Sequence, residues 1–163
     1  MNLTAIAQNT PAVPPDRATV LAFDFGTQWI GVAVGNTEVR VAHPLMTIRG
    51  EANAMRFAAI EKLLAEWAPA WLVVGRPLDE DGAENAMTAR AERFARQLEG
   101  RYRLPVARVD ERFTTRAASI ALDEAGVRGR AKGDARDEVA AQVILQAWLD
   151  EQTRNGDMTR DPT

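Results

Sequence analysis

The order of apolar runs and turns along the chain predicts an α/β fold, a five-stranded mixed sheet flanked by helices on both faces. Three observations carry this. Three strand-like segments follow one another through tight turns, which makes antiparallel neighbours. Strand and helix then alternate, which calls for crossovers and parallel pairing. The helical segments carry apolar stripes, so each has one face to bury.

Ala18 to Phe25 is apolar at successive positions, as expected of a central strand covered on both faces. Gly26-Thr27 is a turn, Trp29 to Val34 a second strand and Val39 to Ile48 a third, with Asn36-Thr37 at their hairpin. Ala54 to Trp67 is a helix with Ile60, Leu63, Leu64 and Trp67 on one stripe, ended by Pro69. Trp71 to Val74 is a fourth strand, closed by Gly75. Ala83 to Leu98 is a helix with Met87, Ala91, Phe94 and Leu98 inward and Gly100 past its end. Pro105 to Val109 is a fifth strand. Thr114 to Glu124 is a helix ended by Gly126, Arg128 to Lys132 is a glycine- and charge-rich loop, and Ala135 to Leu149 is the last helix. Met1 to Arg17, with Pro11, Pro14 and Pro15, reads as a flexible arm, and the polar Gln152 to Thr163 as a frayed tail. The folded domain is then Ala18 to Glu151.

A hydrophobic content of 46% and a charged content of 26% over 163 residues fit one soluble domain with a core of moderate size. The absence of cysteine excludes disulfides and thiolate metal centres. The single histidine, His43, excludes any site needing two imidazoles, and its place before Pro44 in a strand reads as structural. A metal would need oxygen ligands, which points to Mg²⁺ or Mn²⁺. No segment approaches the ~20 apolar residues of a membrane span. Met1 to Asp16 lacks the basic start and apolar run of a signal peptide, so a cytoplasmic location without membrane attachment is expected. The net charge of −3 opposes nucleic-acid binding only on average. Between Arg90 and Arg136 there are 12 Lys+Arg, 11 of them Arg, against 7 Asp+Glu, whereas the remainder holds 8 and 16. One basic face is therefore compatible with an acidic whole, as is a set of merely solvated helix faces.

Three carboxylates stand out. Asp24 ends the most apolar strand, where a charge is costly unless compensated, and Gly26 lets the backbone approach a ligand closely. It is either a metal ligand at the carboxyl end of the strand, where open sheets place their ligands, or a cap on the Phe25-Gly26-Thr27 turn. Asp110 and Glu111 end the fifth strand and point to opposite faces, so one of them reaches the edge that Asp24 occupies; periodicity leaves open which. Arg112 pairs with a phosphate or with a neighbouring carboxylate. Asp137 opens the last helix and shares its buried stripe with Ala140, Ala141, Ile144 and Trp148, while Asp134 reads as the N-cap; the plain alternative is an acid placed by the helix dipole. Three such carboxylates make a two-metal site for in-line phosphoryl displacement, with metals ~3.5–4 Å apart. The Gly75-Arg76-Pro77-Leu78 loop reads as substrate-contacting or as a plain surface turn. The basic Arg128, Arg130 and Lys132 are placed to grip a nucleic-acid backbone.

These residues bear a family resemblance. Leu21 to Thr27 and Ile30 to Gly35 resemble the opening of the YqgF/RuvX family. Val73 to Leu78 with Asp81-Gly82, and Asp110 to Thr115, resemble its middle motifs; Asp137 with Ala140-Ala141 and Ile144-Leu145 resembles its last. The resemblance spans about Leu21 to Leu149. It implies a ribonuclease H-like fold related to Holliday-junction resolvases, and a bacterial cytoplasmic nuclease that processes the 5′ end of pre-16S ribosomal RNA. It assigns the metal-binding and catalytic acids to Asp24, Glu111 and Asp137, choosing Glu111 over Asp110. Gly26, Thr27, Arg76, Arg112, Arg128, Arg130 and Lys132 are the expected contacts to structured RNA or branched DNA. Resolution of a four-way junction would require a homodimer, since two strands are cut symmetrically. The actin and sugar-kinase superfamily also uses Asp-x-Gly-Thr, but needs a second Asp-x-Gly element, and none follows residue 27. A non-catalytic nucleic-acid-binding factor on the same fold is the other alternative.

Overall fold

The structure, a computed structural model, describes residues 13–112 and the backbone of 129–159, with the side chains of 138–156. Five strands form one sheet: β1 (Thr19–Phe25), β2 (Trp29–Asn36), β3 (Ala42–Arg49), β4 (Trp71–Arg76) and β5 (Val106–Asp110). Their spatial order is β3-β2-β1-β4-β5. β1 pairs antiparallel with β2, and β2 with β3; β1 pairs parallel with β4, and β4 with β5. The helices are α1 (Asn53–Trp67), α2 (Ala86–Tyr102) and α3 (Gly129–Thr159).

β1 is the middle strand of the five, and its residues are apolar and buried on both faces. Leu21 and Phe23 pack with Phe57 and Ile60 of α1 and Phe94 and Leu98 of α2. Val20 and Ala22 pack with Ala141, Ile144, Leu145 and Leu149 of α3. Odd-numbered residues of β1 thus face α1 and α2, and even-numbered residues face α3. This alternation, a property of any strand, decides the side of the sheet on which each residue at the end of β1 projects. The mixed sheet with helices on both faces is the predicted architecture.

The boundaries differ from expectation where packing or side-chain capping outweighs local propensity. β3 begins at Ala42 rather than Val39, and Pro44 is tolerated because β3 is an edge strand with a register shift opposite Val32/Ala33. α2 begins after Asn85, whose side chain accepts from the Met87 and Thr88 amides while the Thr88 hydroxyl accepts from the Asn85 amide. It runs past Gly100 and ends at Arg103 in the left-handed conformation. The expected 152–163 tail is helical through Thr159, and the loop expected up to Lys132 is helical from Gly129, so α3 begins six residues earlier than expected. Consequently neither Asp134 nor Asp137 lies at the helix start. Arg130, Ala131, Lys132, Ala135 and Arg136 are strong helix formers, and an isolated glycine such as Gly133 costs only about 1 kcal/mol. α3 is tied to β3 and its preceding turn: Gln146 accepts from the Ala42 amide and donates to Arg40 O, Gln142 donates to Ala42 O, and Arg40 donates to the Thr153 hydroxyl. The expected helix Thr114–Glu124 and Arg128 lie outside the described residues. No helix among the described residues is long and apolar enough to cross a membrane.

The α2 cap gives a direct test. Asn85→Ala should cost about 1 kcal/mol of stability, read as a lower midpoint in urea denaturation with an unchanged slope. An unaltered midpoint would mean that packing alone sets the start of α2.

Candidate active site

The carboxyl ends of β1, β4 and β5 lie side by side because the three strands run parallel. Asp24, even-numbered on β1, projects to the α3 side. Glu111 follows the last residue of β5 and is held by its amide, which donates to Arg76 O at 3.0 Å. Its side chain crosses the end of β4 and hydrogen-bonds the Asp24 carboxylate. The crossing is possible because β4 carries glycine at that point. A methyl group on Gly75 would lie 2.6 Å from Glu111 Cδ and 2.6 Å from Ile144 Cδ1, well inside van der Waals contact. Sequence reading took Gly75 as a strand end and loop residue; its role as the floor beneath Glu111 became visible only with the strand order.

The electrostatics follow from crowding. Burial raises the Asp24 carboxyl above its ordinary range, with the bond from Glu111 opposing. Burial, the bond to Asp24, and the charges of Asp24 and Asp110 push Glu111 up to about 10. The pair therefore holds a proton near neutrality, because two adjacent carboxylates in a half-buried site repel when both ionise. A cation between them removes that penalty. The donor set is oxygen-only, which fits a hard divalent ion such as Mg²⁺ or Mn²⁺.

Asp110 is placed differently. It is exposed, and its carboxylate accepts from the Arg112 amide at 3.0 Å and from Arg112 Nε at 2.8 Å. Arg112 holds its carboxyl below the usual range. Of the two neighbouring acids, Glu111 meets Asp24 and Asp110 does not. Asp137 lies on α3, one turn ahead of the buried Ala140 and Ala141; its side chain is outside the described residues. Among the described residues no group of three acidic or histidine side chains converges. His43 is exposed on the edge strand β3.

The turn after β1 is built around glycine and an arginine that sequence reading missed. A Cβ on Gly26 would meet Trp29 O at 2.5 Å, so this turn needs glycine for its own closure. Arg56 of α1 is 5% exposed, donates to Gly50 O at 2.7 Å and Gly26 O at 2.5 Å, and lies 5.4 Å from the Phe25 ring centroid. It ties the β1–β2 turn to the end of β3. A basic residue within an otherwise apolar helix stripe was the available clue. Thr27 is exposed at the turn. Arg76, at the end of β4, pairs with Glu84. Arg130 and Lys132 lie in the first turns of α3, with their side chains outside the described residues.

Comparisons with known proteins bear on the family and the fold. A family model described as "RuvX: Holliday junction resolvase" matches residues 18–151. A protein of Nitrosomonas eutropha named "Putative pre-16S rRNA nuclease" is 50% identical over 132 residues, covering 81% of this chain and 84% of the relative. One of the same name from Methylobacillus flagellatus is 51% identical over 134 residues, covering 82% and 92%. Among solved structures, T. thermophilus RuvC in complex with a Holliday junction substrate is similar at a TM-score of 0.55 and 13% identity, covering 84% of this chain and 96% of that one. That likeness shows the fold, which is ribonuclease H-like. The class is that of ribonuclease H-like nucleases, and within it the chain belongs to the RuvX family.

Two outcomes test the site. A carboxyl with a raised folded pKa stabilises the fold most fully below its unfolded value, and that contribution is lost as pH rises through the folded value. Stability in chelating buffer should therefore fall between about pH 4.5 and 10, by at most about 1.4 kcal/mol per pH unit from this group. Glu111→Gln should flatten the profile of melting temperature against pH; identical slopes would sink the assignment. Gly75→Ala should dislodge Glu111, flatten the same profile, and lower nucleolytic turnover by about 100-fold, as expected for a catalytic group shifted by about 1 Å.

Proposed function

We propose that the chain is a divalent-metal-dependent nuclease that hydrolyses a phosphodiester bond at the 5′ end of pre-16S rRNA. The observation that carries this reading is the Asp24–Glu111 pair, assembled from two strands at the carboxyl edge of the sheet. The curated relatives' names support the substrate. Asp24 and Glu111 hold the ion, and Asp137 supplies a third ligand from α3. Mg²⁺ or Mn²⁺ bound there supplies neutralisation of the carboxylates and of charge building on the phosphate oxygens. Arg76 and Arg112 position the substrate backbone by exchanging Glu84 and Asp110 for phosphate, which a planar guanidinium can recognise through two parallel donors. Arg128, Arg130 and Lys132 add backbone contacts, and Gly26-Thr27 forms the rim that the strand crosses. The protein acts in the cytoplasm.

A second reading, resolution of branched DNA by a homodimer, is supported by the description of the family. Both are tested by offering 5′-extended 16S precursor RNA and a four-way DNA junction to the purified protein with Mg²⁺, Mn²⁺ or chelator. Cleavage should require the ion. Asp24→Asn and Glu111→Gln should each lower it by more than about 100-fold, beyond the 10–100-fold typical of losing only a supporting partner of a metal ligand. Asp110→Asn should retain most activity. Binding of either substrate without cleavage under every condition would favour a non-catalytic binding factor. Cleavage of the junction alone would select the resolvase.

A further inference from the structure

At the same edge of the sheet, on the α1–α2 side, lies a cavity of about 240 Å³ lined by Phe25, Arg56, Phe57, Arg90, Arg93 and Phe94. No acidic residue lines it, although Glu51 acts on Arg56 through its charge. Arg90 and Arg93 are exposed on α2, and neither is in an ion pair among the described residues. A larger neighbouring cavity of about 770 Å³ shares Arg93 in its wall and contains three further arginines, whose charge is met by acids. Arg76 pairs there with Glu84, Arg96 with Glu92, and Arg108 with Glu92 and Glu99. The unpaired charge is therefore concentrated on the smaller cavity, which both Arg90 and Arg93 line, with Arg93 standing where the two cavities meet.

Its walls also offer rings. Phe25 packs 5.0 Å from Phe94, centroid to centroid, and the Arg56 guanidinium lies over the Phe25 ring at 5.4 Å from its centroid. Arg56 uses two of its five donor hydrogens on Gly50 O and Gly26 O. Alternation along β1 puts Phe25 on this side and Asp24 on the other, one residue apart. A nucleic-acid strand crossing the edge at Gly26-Thr27 would therefore pass from the carboxylate pair to this cavity. The cavity falls below the usual 300–1,000 Å³ of sites for drug-sized ligands and cannot admit a duplex. Arginine with aromatic rings is the combination that receives a phosphate and a splayed base from single strands.

We propose that this cavity, between α1 and α2, takes one unpaired nucleotide of the substrate strand beside the scissile bond, with Arg90 and Arg93 on its phosphate and Phe25 and Arg56 against its base. The proposal deepens the nuclease reading and rests on it for the scissile bond. It makes a single-stranded flank a requirement for tight binding.

The test uses anisotropy of labelled single-stranded RNA and of a blunt duplex of the same sequence, in chelator, across a salt series. The variant Arg90→Ala/Arg93→Ala is compared with Arg17→Ala/Arg96→Ala, which removes equal charge from ion-paired positions. The first should weaken single-strand binding by at least about tenfold and lower the salt slope by about 1.4, near 0.7 per lost contact. Its duplex binding and both affinities of the second should change little. Phe25→Leu should weaken single-strand binding without altering the slope, with melting temperature checking the fold. Equal weakening for single strand and duplex, or equal effects of the two double variants, would overturn the proposal. Unchanged binding with metal-dependent cleavage intact would remove the pocket and leave the nuclease. The predicted binding loss in a wild type that cleaves nothing would keep the pocket and remove the nuclease.

Discussion

Two carboxyl groups, Asp24 and Glu111, meet at the edge of the sheet, and much of the architecture serves that meeting. Side by side and half-buried, they cannot both carry charge without a cation or a shared proton. Bringing them together requires β1 and β5 to run parallel with only β4 between them, and requires that β4 carry no side chain at Gly75. β4 and β5 are parallel neighbours joined through α2, the kind of crossover that parallel pairing requires. The glycine is a local condition on top of it.

The same alternation that aims Asp24 at α3 aims Phe25 at α1 and α2. One strand end thus presents an acidic group on one face and an aromatic ring beside arginines on the other. Arg56 joins the two faces by holding Gly26 O, so the rim between them is fixed from the α1 side. Arg76 ends β4 and Arg112 follows β5 by two residues, and each is held in an ion pair, with Glu84 and Asp110 respectively.

The family match covers the segment containing all of these features. A ribonuclease H-like sheet is a scaffold on which function resides in the site. The carboxyl pair gives membership a chemical meaning at named atoms, while the basic and aromatic surroundings bear on how a strand would be presented to it.

Sequence alone was enough for the five strands, the mixed sheet and the helices on both faces, because hydrophobic period and turn residues are local properties. It also singled out Asp24, through the cost of a charge ending an apolar strand. The choice between Asp110 and Glu111 came from family resemblance, and the fold shows its geometry: Glu111 reaches over Gly75 while Asp110 binds Arg112. Helix ends were less legible. Asn85 and Arg103 bound α2 through cap geometry; α3 runs through Gly133 among strong helix formers, and beyond Leu149, where Arg40 donates to the Thr153 hydroxyl. The roles of Gly75 and Arg56 were decided only by the tertiary structure. Both depend on which atoms from distant segments occupy the same few ångströms, and no periodicity in a single chain records that.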